Sequence, residues 1–122
     1  LAEEKAAAIV ALVSMYDTID REELKGLIQS GRAGLRQLAA EVISHLNRIE
    51  DLDLFLPLLC DSSPDVRVSA LNTLALLRVK KVGKLTVPEL IKNNLRDSAP
   101  EVAITAAYVL LLHDEKEGSR AL

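Results

Sequence analysis

The chain has 122 residues, of which 49% are hydrophobic, so it is long enough and apolar enough to fold around one core. Its formal net charge of −3 argues against a general nucleic-acid binder, since such proteins carry an excess of basic residues. Aromatic residues make up only 2%, and the apolar remainder is mainly Leu, Ala, Val and Ile, which favours closely packed helices over a sheet. These features predict one all-α domain over residues 1–122.

Apolar periodicity predicts seven helices, separated by short turns. They cover roughly residues 2–16, 20–29, 33–47, 51–60, 64–78, 87–96 and 100–113. Asp20, with Glu23 three residues later, resembles a capping box at the start of the second helix. Pro64 and Pro100 stand where a first helical turn accepts proline. Pro57 falls inside the fourth helix and is expected to bend it, because proline removes a backbone hydrogen bond.

The helices form a repeat. Segment 62–74, SSPDVRVSALNTL, returns thirty-six residues later as segment 98–110, SAPEVAITAAYVL, and an aspartate precedes each of the two. Ala39 lies thirty-one residues before Ala70 and stands at the equivalent position of the preceding unit. Each unit is therefore a helix pair, and the repeats cover roughly 20–47, 51–78 and 87–113 after a leading helix at 2–16.

This unit resembles the HEAT repeat. The resembling motif is a helix ending in Leu58-Leu59-Cys60-Asp61, a turn with Pro64, and then Val66-Arg67 with Ala70 and Leu74. The resemblance covers roughly residues 20 to 113. It implies a right-handed alpha-alpha superhelix of the HEAT/ARM solenoid type, with about three helix pairs plus one leading helix. The unpaired leading helix suggests a fragment of a longer array.

In the HEAT family an Asp and an Arg form a ladder along the stack. The residues that match these positions are Asp61, Arg67 and Arg36. The middle repeat alone has both members, because Ser30 replaces the Asp in the first repeat and Ala103 replaces the Arg in the third. The resemblance therefore implies an incomplete ladder.

The sequence shows no arrangement typical of an enzyme, cofactor site or metal site. It contains no HExxH, no GxSxG and no phosphate-binding glycine loop. His45 and His113 have no metal-ligand spacing with Cys60 or with an acidic residue. Cys60 adjoins two leucines, so we expect a buried small hydrophobic residue rather than a nucleophile.

The resemblance also implies a binding face, since the second helices of HEAT arrays line the concave side, where partners are often held. The polar or aromatic candidates on the side opposite the predicted core are Glu41, His45, Asn72 and Tyr108. For each of them an ordinary solvated face is the alternative.

One basic cluster stands out. Arg78, Lys80, Lys81 and Lys84 lie in the linker that lengthens the last repeat. Four positive charges so close together make a local positive potential that suits an anion or an acidic partner. A solvated loop is the alternative.

The last predicted helix is an anomaly. Residues 102–112 read VAITAAYVLLL, without a charge on any side, and a helix that is apolar all round is normally buried all round. Ile104, Tyr108 and Leu112 lie on sides that the repeat pattern assigns to the outside. We expect a following repeat, a second copy of the chain or a partner to cover the helix, with Tyr108 as the anchor.

These observations favour a non-catalytic protein-interaction scaffold with a protein partner. Two other classes of HEAT-like protein stay open. One is a bilin-lyase-like enzyme, whose repeats are also near thirty residues, and the other is a nucleic-acid-binding domain, which the acidic charge disfavours. No apolar run is long enough to span a membrane, so we expect a soluble, cytoplasmic protein.

Overall fold

The computed structural model of the chain describes residue 11 and residues 19–121, of which residues 115–121 are described by their backbone alone. Apart from residue 11, the predicted leading helix 2–16 lies outside the described residues.

The described residues form an all-α solenoid with one small hairpin. The α-helices are α1 Arg21–Ile28, α2 Ala33–His45, α3 Leu52–Phe55, α4 Pro64–Leu77, α5 Val87–Ile91 and α6 Pro100–Ala121. Three 3₁₀ segments, Ile49–Asp51, Leu56–Cys60 and Lys92–Arg96, complete the helical part. The second helices of the three pairs are stacked in chain order, with α4 packed between α2 and α6. The predicted all-α fold is confirmed.

The first helices of the second and third pairs are not the continuous α-helices that the sequence predicted over 51–60 and 87–96. In each pair the α-helix ends early, at Phe55 and at Ile91, and a 3₁₀ segment follows. Pro57 lies in the first of these segments, but Lys92–Arg96 contains no proline, so proline cannot be the shared cause.

The structure also corrects the prediction for Cys60. Consecutive side chains diverge by roughly a third of a turn in an α-helix as in a 3₁₀ helix, so three residues in a row cannot share one face. Leu58 and Leu59 are buried, whereas Cys60 is exposed.

The linker before the third pair forms a two-stranded antiparallel hairpin. Strand β1, Lys81–Val82, pairs with strand β2, Leu85–Thr86. Gly83 has φ 62, which a two-residue type II′ turn requires at its first central residue. The hairpin returns the chain to Thr86, whose hydroxyl caps α5. At the other end of the third pair, α6 continues to Ala121 rather than ending near residue 113.

The core runs along the second helices. Ala39, Ala70 and Ala106, the residues in register in the three repeats, are all 0% exposed. Small side chains at this position let neighbouring backbones approach, while the leucines of each helix fill the space around them. As a result α4 is buried on two sides, and Asn72 and Leu76 form an exposed strip between those sides.

The Asp–Arg ladder connects consecutive repeats. Arg36 donates from Nε and Nη2 to the two carboxylate oxygens of Asp61, at 2.7 and 3.0 Å. Arg67 binds Asp97 in the same two-fold way, at 2.8 and 2.9 Å. Each arginine also donates to the carbonyl of its own turn, at Ser30 and at Asp61.

The interpretation of an incomplete ladder is therefore corrected. Each arginine pairs with the aspartate of the next repeat, so Arg36 and Arg67 fill both steps between the three described pairs. Ser30 and Ala103 stand at the two outer ends, where neither is needed for these contacts.

Candidate partner-binding groove

Three of the five predicted binding residues line one groove. Asn72, Tyr108 and Leu112 face the space between the C-terminal half of α4 and α6. His45 is exposed on α2 and does not line the groove. Glu41 is partly buried, also outside the groove, and its Oε2 atom has no hydrogen-bond partner among the described residues.

The groove has a volume of about 690 Å³ and is mostly apolar. Leu74, Val87 and Val109 form its floor and are buried. Leu76 is 69% exposed and Tyr108 57% exposed at the groove wall. An open apolar cleft of this kind can accept apolar side chains of another molecule.

The polar rim of the groove is basic. Arg78, Lys80 and His113 contribute to the lining, and no Asp or Glu is among the described residues that do. Sequence reasoning assigned Arg78 and Lys80 to a linker cluster. It did not join them to Tyr108, because only the packing of α4 against α6 brings the two regions together.

Arg78 also has an unusual backbone. It follows α4 with φ 55 and ψ 31, in the left-handed region, where a side chain bearing a Cβ costs on the order of 1 kcal/mol. Asn47, thirty-one residues earlier in the first repeat, has φ 53, and asparagine enters this region more readily than other residues. The first and second repeats therefore both end their second helix with a left-handed residue, and in the second repeat that residue is an arginine.

The side chain of Arg78 is exposed and makes no ion pair with any described acidic residue. Its guanidinium is therefore available to a ligand in the groove.

A second exposed surface lies on α6. Ile104 is 69% and Leu111 60% exposed, and Ala107 between them is also exposed. The equivalent residues of the second repeat, Val68, Leu71 and Ala75, are buried or partly buried, and α6 packs against the helix that carries them. We call Ile104, Ala107 and Leu111 the end face, because they occupy the side on which each earlier repeat receives its neighbour.

The chemistry available in the described residues is limited. They contain no group of three or more His, Cys, Asp or Glu side chains that could hold a metal ion. Within the same part of the chain, no helix combines the length and apolarity needed to cross a membrane.

Comparison with known families supports the architecture. Residues 52–77 match the family model described as HEAT repeat. The match begins with α3 and ends with α4, so it covers the whole second helix pair, including Asp61 and Arg67. It agrees with the resemblance seen in the sequence and with an all-α solenoid. Comparison with curated proteins and with solved structures gave no match.

Proposed function

We propose that the chain is a non-catalytic scaffold module that binds a segment of a partner protein in the groove between α4 and α6. The observation that carries this proposal is the exposure of Leu76, Tyr108 and Leu112 side by side along one cleft. Large apolar side chains grouped in this way are uncommon on a monomer surface without a binding role. Tyr108 is suited to anchor a partner, since it offers a large apolar ring and a hydroxyl that can stay hydrated.

The described groove lining offers few of the side chains that a bilin-lyase-like enzyme or a nucleic-acid-binding domain would need. General acid–base chemistry needs paired titratable groups, and His113 has no carboxylate beside it among the described lining residues. This argues against a bilin-lyase-like enzyme. A nucleic-acid backbone would leave the apolar floor unused and would meet a chain of net charge −3.

We further propose that the end face mediates self-association through α6. Ile104, Ala107 and Leu111 carry no charge, so the same surface on a second copy can pack against it without burying an unpaired ion. Ala103 stands where Arg36 and Arg67 bind the aspartate of the next repeat. A further ladder-joined repeat would lack that contact, which favours a second copy as the occupant.

The groove can be tested with a display library of random 16-residue peptides selected on the intact chain. We expect selected peptides to bind the parent protein and to lose about tenfold or more in affinity for Leu76→Glu, which places a charge in the apolar wall. Leu95→Glu is the matched control, because Leu95 is 38% exposed and lies outside the groove. Peptides that bind both variants as tightly as the parent would refute the groove as the binding site.

A further inference from the structure

The charge of the groove is opposite to the charge of the molecule. The chain carries 18 acidic residues against 15 Lys and Arg, yet the described groove lining contains Arg78 and Lys80 and no acid. Lys81 and Lys84 are exposed on the adjoining hairpin and extend the positive region. A local positive potential on an acidic protein selects for negatively charged ligands at that one place.

Arg78 is the residue best placed to pair with a negatively charged group of such a ligand. Its backbone holds a left-handed conformation that glycine or asparagine would adopt at lower cost, and Asn47 does so at the equivalent place in the first repeat. Its guanidinium carries five donors in a planar fork that matches the two oxygens of a carboxylate. The neighbouring Leu76 and Tyr108 supply apolar contact beside that fork.

We infer that the α4–α6 groove binds an acidic amphipathic peptide segment, with apolar side chains against Leu76, Tyr108 and Leu112 and a carboxylate of the partner paired with Arg78. This inference rests on the proposed function and specifies the chemistry of its partner. A nucleic acid is the other polyanion that the basic rim could attract. The groove favours the peptide, because its floor of Leu74, Val87 and Val109 complements aliphatic side chains and offers nothing to a phosphate.

The test uses the peptides selected on the intact chain and their amide analogues, in which every Glu becomes Gln and every Asp becomes Asn. We expect the selected pool to be enriched in acidic residues next to apolar ones. We also expect amide analogues to bind about tenfold more weakly and the affinity of the acidic peptides to fall as salt is raised.

Three variants locate the effect. Arg78→Asn should weaken the binding of acidic peptides about tenfold and abolish the difference in affinity between them and their amide analogues. Arg78→Lys should keep part of that difference in affinity. Arg96→Asn removes an exposed arginine outside the groove, and it should change neither the affinity of the acidic peptides nor the difference from their amide analogues. The denaturation midpoint of Arg78→Asn should equal or exceed that of the parent, because asparagine suits the left-handed backbone. Loss of binding then cannot be ascribed to unfolding.

The outcomes separate the inference from the proposed function. Groove-dependent peptides that lack acidic enrichment, or that bind equally well as amides, would overturn the inference and leave the proposed function standing. An absence of any peptide sensitive to Leu76→Glu would overturn both. A random 20-nucleotide single-stranded DNA that binds more tightly than the peptides and loses binding with Arg78→Asn would assign the rim to nucleic acid and overturn the peptide proposal.

Discussion

At the scale of single residues, Asn94 shows how the repeat pattern and the structure can differ. Leu27 and Leu58 occupy the equivalent position in the first two pairs, so the repeat favours a leucine in the third. Asn94 stands there instead and is buried, with 5% of its surface exposed. Its Nδ2 donates to the carbonyl oxygen of Leu59 in the preceding repeat at 2.8 Å. The amide thus pairs a backbone group that the 3₁₀ segment of the second repeat leaves unpaired, which a leucine could not do.

Asn94→Leu should therefore destabilise the fold, although it restores the repeat pattern. The Leu59 carbonyl would lose its donor inside the protein, and we expect the free energy of unfolding to fall by about 1–3 kcal/mol. Urea unfolding followed by circular dichroism measures the change. Asn93→Leu, at the exposed neighbouring position, is the control and should unfold near the parent midpoint. A midpoint for Asn94→Leu at or above that of the parent would contradict this role.

Neither Asn94 nor Cys60 could be assigned correctly from the sequence. The environment of Asn94 depends on a backbone group thirty-five residues away. That of Cys60 depends on which side of its short segment faces the core, and a run of three apolar residues does not define that side. Ala39 and Ala70 were predictable, because a register repeated along the chain fixes their faces without knowledge of the contacts.

At the scale of elements, the ladder makes the contact between repeats depend on pH. The hydrogen bonds from Arg67 hold the pKa of the Asp97 carboxyl below its usual 3.8. For Asp61, burial opposes ionisation, but the hydrogen bonds from Arg36 and from the backbone N–H of Ser63 outweigh it, so its pKa is also lowered. A carboxyl whose pKa is lower in the folded than in the unfolded state stabilises the fold above the unfolded value. That stabilisation is lost as pH falls through the folded value.

Asp97→Asn should therefore be less stable than the parent near neutral pH, because Arg67 loses its charged partner. The difference should shrink as pH falls below about 4, the pKa of an unfolded aspartate, towards the lower pKa of the carboxyl in the folded parent. Urea unfolding over a pH series measures both effects. Asp65→Asn serves as the control, since Asp65 is exposed on α4 and is not part of the ladder. An Asp97→Asn variant whose deficit is constant with pH would show that the pair does not act through its charge.

The predictability of the elements follows their length. Helices α2 and α4 begin and end within two residues of their predicted bounds, because thirteen and fourteen residues give several turns of apolar spacing. The hairpin at 81–86 was not predicted, since two-residue strands are too short to show alternation. The basic cluster was correctly assigned to the linker, but its position against the groove was not predicted, because that position depends on how the linker packs.

At the scale of the whole molecule, the uncharged stretch of α6 contributes to two separate surfaces. The uncharged stretch 102–112 predicted that something covers α6, with Tyr108 as the anchor. Tyr108 and Leu112 line the groove, whereas Ile104 and Leu111 lie on the end face outside it. The sequence identified the helix but not this division, because separating its sides requires the position of α4. The two surfaces can now be altered independently.

The self-association proposed for the end face gives the last prediction. We expect the weight-average mass of the isolated chain in sedimentation equilibrium to rise with concentration from one chain towards two. The double variant Ile104→Glu, Leu111→Glu should remain at the mass of a single chain, because four like charges would meet in a symmetric pair of α6 helices.

Leu76→Glu is the matched control, since it places the same charge in the groove and should leave the assembly unchanged while it impairs peptide binding. A parent chain that is monomeric at all concentrations would refute self-association. Loss of assembly in Leu76→Glu would instead place the contact in the groove, and would show that the partner segment bound there belongs to a second copy of the chain.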